Sequence, residues 1–250
     1  MSKANKMQSI LFIQTLIIIV LFALPLQAVV KQKHQELLTK TNSRHLALSW
    51  GDIWNIVRRK KVSGGGRGGE ICAIAPRKLV DPDSSINKGT EEIWSVQPLF
   101  LWHVKSGTAQ KIELFQQGNK QVIWSQEITP AQEKIIYDGK PLQPGELYQW
   151  HMYVNVPFPK KSVSIQFQII ETQKRDRIAS ELNQLETRLK KQGANVEKIA
   201  LEKVNYFAQQ ELWSDALREI YAVPNPSAEL TKIIQQISSI DYCEATAETL

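Results

Sequence analysis

The chain has 250 residues, 42% hydrophobic and 22% charged, with a formal net charge of +6 at pH 7. These are ordinary globular values, with length for one domain or two small ones. So mild a basic balance does not point to nucleic acid.

The N-terminus reads "MSKANKMQSILFIQTLIIIVLFALPLQA". Lys3 and Lys6 precede a largely apolar run from Ile10 to Leu24, then Pro25 and Ala28. That order of charged, apolar and small residues predicts a signal peptide over residues 1–28, cleaved after Ala28. The apolar run is short for a span of about 20 residues, and an uncleaved N-terminal anchor is the alternative. No cysteine follows it to carry lipid. The expected destination lies across the inner membrane, in the periplasm or the extracellular space, where no nucleic-acid partner is expected.

Residues 29–69 read as a basic, Gly-rich flexible lead-in. Within them "SWGDIWNIVRRKK" is a short helix or a docking segment. The run "GGGRGG" contains a Gly-x-Gly-x-x-Gly spacing, but "RRKKVS" before it makes no convincing strand and "EICAIAPRKLVDP" after it no convincing helix. No Gly-Lys-Ser/Thr follows, so a phosphate-gripping loop is not expected. Arg58, Arg59, Lys60, Lys61 and Arg67 form a basic patch suited to an anionic polymer or membrane surface.

Residues 70–171 carry the period-two code of strands. In "SVSIQFQII" Val163, Ile165, Phe167 and Ile169 share a face, with Ser164 and Gln166 opposite. "LYQWHMYV" sets Tyr148, Trp150, Met152 and Val154 against Gln149, His151 and Tyr153. "IELFQQGNKQVIW" reads as two strands joined at Gly118-Asn119, and Pro144-Gly145 makes a further turn. The expected fold class is α+β: an antiparallel immunoglobulin/fibronectin-like β-sandwich followed by a C-terminal helical region.

Over residues 172–243 the period becomes helical. Ile178, Leu182, Leu185 and Leu189 form one stripe, ended by Gly193. Later helices carry Ile199, Val204 and Phe207, then Trp213, Ala216, Leu217 and Ile220, then Leu230, Ile233, Ile234 and Ile237 behind an N-capping Ser227. "FAQQELWSDALREI" has the pattern of a single tetratricopeptide-like hairpin. Such hairpins take peptides in their concave face, which makes Trp213, Ala216 and Leu217 the candidate partner-binding residues. Residues 244–250 read as a disordered tail.

No Cys-x-x-Cys, His-Glu-x-x-His or Gly-x-Ser-x-Gly motif is present, and no catalytic, cofactor-binding or metal-binding residues are singled out. His103 and His151 each follow a tryptophan on a predicted strand. The seven tryptophans fit core packing better than ligand stacking. Cys72 and Cys243 close one disulfide in an oxidising compartment or stay as thiols.

Taken together, "RGGEICAI", "PLFLWHV", "LQPGELYQWHMYV" and "FAQQELWSDALREI" resemble the cyanobacterial exported proteins grouped as domain of unknown function 928. The resemblance covers about residues 64–243 and implies export, a β domain and a helical tail. It implies no activity. Family members tend to have an aromatic at the positions of His103 and His151, and Cys-Asp-Pro where this chain has Val156-Pro157. That departure leaves Cys243 as the one mate for Cys72. The expected function is a non-enzymatic interaction module for an envelope or secreted protein. A carbohydrate- or envelope-polymer-binding module is the second reading and an enzyme the third.

Overall fold

A computed structural model describes residues 48–62, 71–80, 90–156 and 158–240, the side chains of 61, 62, 80, 156 and 158–163 excepted. All of them fall within one compact unit, Ala47–Leu250. In chain order the elements are helix α1 (Trp50–Val57), strands β1 (Lys61–Val62), β2 (Ile71–Ala75), β3 (Leu79–Val80), β4 (Glu91–Ile93), β5 (Leu99–Val104), β6 (Thr108–Gln116), β7 (Val122–Glu127), β8 (Lys134–Ile136), β9 (Leu147–Val156) and β10 (Phe158–Ile169), then helices α2 (Thr172–Lys191), α3 (Val196–Gln209), α4 (Trp213–Tyr221) and α5 (Ala228–Ser239). The class is mixed α+β.

The larger sheet has the order β4-β10-β9-β6-β7, the smaller β2-β5-β8, and β1 pairs with β3. Pairing is antiparallel except between β4 and β10, which run parallel. On β9 burial alternates as the sequence predicts: Tyr148, Trp150, Met152 and Val154 are buried, with half-buried residues between them. On β10 Phe167 and Ile169 are buried, Ile165 is half-buried, and Ser164 and Gln166 are exposed.

On β5 the alternation disappears. Leu99, Phe100, Leu101 and Trp102 are all buried, and so is every residue of β2. Phe100 and Trp102 enter a core shared with Ile112, Leu114, Trp150 and Phe167 of the larger sheet. Leu99, Leu101, Ile74 and Ala75 enter a second core, shared with the helices. The smaller sheet is therefore a middle layer, apolar on both faces, with the larger sheet on one side and the helices on the other. A strand covered on both faces has no polar face to show, so its sequence reads as an unbroken apolar run.

The turns and caps follow local chemistry. Gly145, in the expected Pro-Gly turn, has φ +81°, and a β-carbon there would stand 2.9 Å from Glu171 Oε2. Gly193 closes α2 with φ 75°, and the Ala194 N–H returns to the Leu189 carbonyl at 3.0 Å, a left-handed helix stop. Ser227 Oγ accepts the Leu230 N–H and caps α5.

Part of the expected lead-in is core. Residues 50–57 form α1, opened by a capping box between Ser49 and Asp52. Trp50, Ile53 and Val57 lie at helical spacing and are buried in the core of the helical side. Trp50 Nε1 donates to Glu197 Oε1 at 2.9 Å and ties α1 to α3. The amphipathic face of this short helix outweighs its basic and Gly-rich flanks. The glycine run, with Arg67, lies outside the described residues, as do the N-terminal residues 1–28 and the tail 244–250.

Candidate functional site

The face of the larger sheet turned away from the core carries a grid of polar and aromatic side chains. Inward residues Ile112 and Leu114 alternate on β6 with outward Lys111, Glu113 and Phe115. On β9 Gln149, His151 and Tyr153 point the same way, because directly paired residues share a face. The registers align three rows across the sheet: Glu127, Lys111 and Tyr153; Ser125, Glu113, His151 and Ser164; Val122, Phe115, Gln149 and Gln166.

Contacts knit these rows together. Lys111 Nζ is 2.7 Å from Glu113 Oε1 and 4.8 Å from the Tyr153 ring centroid, a cation–π distance. The Tyr153 hydroxyl also bonds the Glu113 carboxylate. Phe115 and His151 stand with ring centroids 4.6 Å apart. Gln149 Nε2 donates to Ser164 Oγ at 2.8 Å. Partial burial works against the Glu113 charge. Hydrogen bonds from Lys111 and Tyr153, with the nearby charges of Lys111 and His151, outweigh it and hold the carboxyl below its usual value. Burial and the Glu113 bond push the Tyr153 hydroxyl up.

At one end the face deepens into a cleft of about 500 Å³, walled by Thr108, Gln110, Lys111, Glu127, Pro130 and Tyr153. At the other, Val122 and Ile123 are exposed apolar residues beside a bulge opposite Phe115. Chemically, the face offers flat rings, hydrogen-bonding amides and hydroxyls, and one fixed carboxylate, most of them half-buried.

The residues singled out from sequence fall elsewhere. Trp213, Ala216 and Leu217, the expected partner-binding residues, are 5%, 1% and 0% exposed. They hold α4 against α3 and the middle sheet, because an amphipathic helix turns its apolar stripe to the core and leaves nothing of it for a partner. Arg58 and Arg59 are exposed at the end of α1, where Arg58 Nε bonds Asn55 Oδ1 and Arg59 Nε bonds the Asn55 carbonyl. Lys60 Nζ lies over the Trp213 ring at 5.0 Å. Lys61 joins β1 through its backbone. Cys72 is buried on β2 beside His103 and is disulfide-bonded; Cys243 lies outside the described residues.

All seven tryptophans pack in or against the two cores, Trp54, Trp94 and Trp124 remaining half-buried. His103 and His151 belong to different sheets. Among the described residues no group of three or more His, Cys, Asp or Glu side chains is placed to hold a metal ion. None of their helices is long and apolar enough to cross a membrane.

Lys111 and Glu113 had no signal of their own in the sequence beyond the alternation of "KIELF". Their meeting with His151 and Tyr153 depends on β6 lying beside β9, a non-local pairing. No family model, curated protein or solved structure matches the chain.

Proposed function

We propose that the protein is an exported, non-enzymatic binding module whose binding surface is the outward face of the larger sheet. Its ligand is a polyhydroxylated polymer of the cell envelope. One observation carries this reading. The Phe115 and His151 rings, 4.6 Å apart, adjoin Tyr153 and a set of hydrogen-bonding groups (Glu113, Gln149 and Ser164) on the half-buried outward face of the sheet. Sugar rings present apolar faces and hydroxyl edges, and they are bound by aromatic planes flanked with such groups. The sequence alone favours a protein partner on the helical hairpin, but that reading rests on Trp213, Ala216 and Leu217, which are buried.

The finer fold assignments belong to the same proposal. The Tyr148 hydroxyl accepts the Gln143 N–H at 2.9 Å, five residues upstream, as in the tyrosine corner of immunoglobulin-like sandwiches. The packing of α4 on α3 supports a single tetratricopeptide-like hairpin. Membership of the domain of unknown function 928 group rests on the quoted motifs. Exposed Arg58 and Arg59 extend the reading to acidic polymers, with salt-sensitive affinity.

The test is co-sedimentation of the mature protein with purified envelope polysaccharide and peptidoglycan, beside affinity capture from envelope extract. Binding to polymer that the double variant Phe115→Ala/Tyr153→Ala loses supports the proposal. Capture of one protein in fixed ratio, unaffected by that variant, would replace it with the protein-partner reading.

A further inference from the structure

A second pair of side chains, far from the outward face, joins the larger sheet to the helices. Glu91 opens β4, paired with Phe167 of β10, and the residue is 5% exposed. Glu91 Oε1 accepts the Ser214 hydroxyl at 2.6 Å, and the carboxyl also accepts the Ser214 backbone N–H at the start of α4. The next residue of α4 returns the contact. Asp215, 3% exposed, accepts the Trp94 N–H at 2.7 Å on Oδ2 and the Ser95 N–H at 2.8 Å on Oδ1. The strand grips the helix, and the helix grips the segment that follows the strand, through two buried carboxyls.

We propose that Glu91 and Asp215 form a proton-dependent latch between β4 and α4, closed while the pair retains one proton and loosened when that proton leaves. The inference is independent of the binding reading above.

The charges around the pair explain which carboxyl holds the proton. Asp215 has two backbone donors, and Arg218 of its own helix lies near, its Nε on the Gln97 carbonyl at 2.9 Å. Glu219 opposes that help and stands 3.7 Å from Arg218 Nη1. Glu91 has the Ser214 donors, the adverse charge of Asp215 and a favourable charge on Lys78. Arg175 stacks over the Trp94 ring at 5.5 Å and accepts its indole N–H through the main-chain carbonyl. Burial pushes both carboxyls up, Glu91 the further. Asp215 therefore ionises first, its charge met by the two N–H groups, and Glu91 stays neutral. Loss of the second proton puts two negative charges into one water-poor joint, where repulsion is poorly screened. Water entry or separation of the α4 start from β4 relieves it.

Amide hydrogen exchange from pH 5 to pH 9, corrected for intrinsic rates, tests the latch in the full chain. The expected result is at least a tenfold loss of protection at Trp94 and Ser95 between pH 5 and about pH 8, levelling off above, while Trp150 in β9 keeps its protection. Glu91→Gln, which holds the neutral shape without a titrating proton, abolishes that local loss. Equal pH dependence in wild type and Glu91→Gln overturns the proposal. Should that variant not fold, carbon-detected titration of the wild-type Glu91 carboxyl decides: ionisation below pH 5 overturns the latch, and ionisation above neutrality upholds it.

Discussion

Lys60 Nζ sits 5.0 Å from the centroid of the Trp213 ring. The contact joins the end of α1 to the first residue of α4. The sequence marks Lys60 for an anionic surface and Trp213 for a protein partner; the structure gives each to the other. An ammonium over an indole is worth ~0.5–1 kcal/mol at an exposed site, but Trp213 also fills core volume. Trp213→Ala is therefore expected to destabilise the fold by about 3–5 kcal/mol, as large core truncations do. Chemical denaturation checks this. A loss below about 1 kcal/mol would return Trp213 to the list of surface residues.

Acid stability has a local source in Glu186. Its carboxyl lies 2.7 Å from Lys190 Nζ and 2.8 Å from Lys203 Nζ. Those two hydrogen bonds and charges outweigh desolvation and lower its pKa to about 2, from 4.5. A carboxyl lowered in the folded state contributes stability that is present above its unfolded pKa and lost as pH falls through the folded one. The window is thus about pH 4.5 down to about pH 2. The group is partly exposed, so solvent screening keeps the effect modest. Thermal melts should show a shallower acid limb for Glu186→Gln than for wild type. Identical limbs would mean the two lysines do not hold the carboxylate in solution.

The cysteines give a covalent prediction. Cys72 is disulfide-bonded on β2, and the sequence has one other cysteine, Cys243. Mass mapping of an unreduced digest of the protein purified without reductant is expected to yield one peptide pair joining Cys72 to Cys243. For a loop this long, the chain-entropy contribution is about 5 kcal/mol. A Cys72–Cys72 pair between two copies, or two free thiols, would remove the covalent tie between sheet and tail.

Local pattern carried much of the fold. The period-two faces of β9 and β10 and the stripes of α2 to α5 were readable, because each is set by residues within one element. The middle layer was not. β5 reads as "LFLW", and an apolar run does not say which face meets which neighbour. Helix α1 was ambiguous for a different reason: eight residues between basic and Gly-rich flanks give too short a stripe to separate a core helix from a docking segment. The candidate face was half visible. Gln149, His151 and Tyr153 fall opposite the buried side of "LYQWHMYV", but nothing local places Lys111 and Glu113 beside them. Glu91 and the Ser214–Asp215 pair lie too far apart in the chain for any spacing to join them.

Two-dimensional amide NMR during titration with envelope polysaccharide addresses the proposed binding face most directly. Saturable shifts are expected at Lys111, Glu113, Phe115, Gln149, His151 and Tyr153, with little change on α2 to α5. Tyr153→Ala is expected to weaken binding about tenfold, ~1.4 kcal/mol, without altering the spectrum elsewhere. Shifts confined to the helices, or a saturable affinity that Tyr153→Ala leaves unchanged, would show that the outward face of the larger sheet is not where this protein binds.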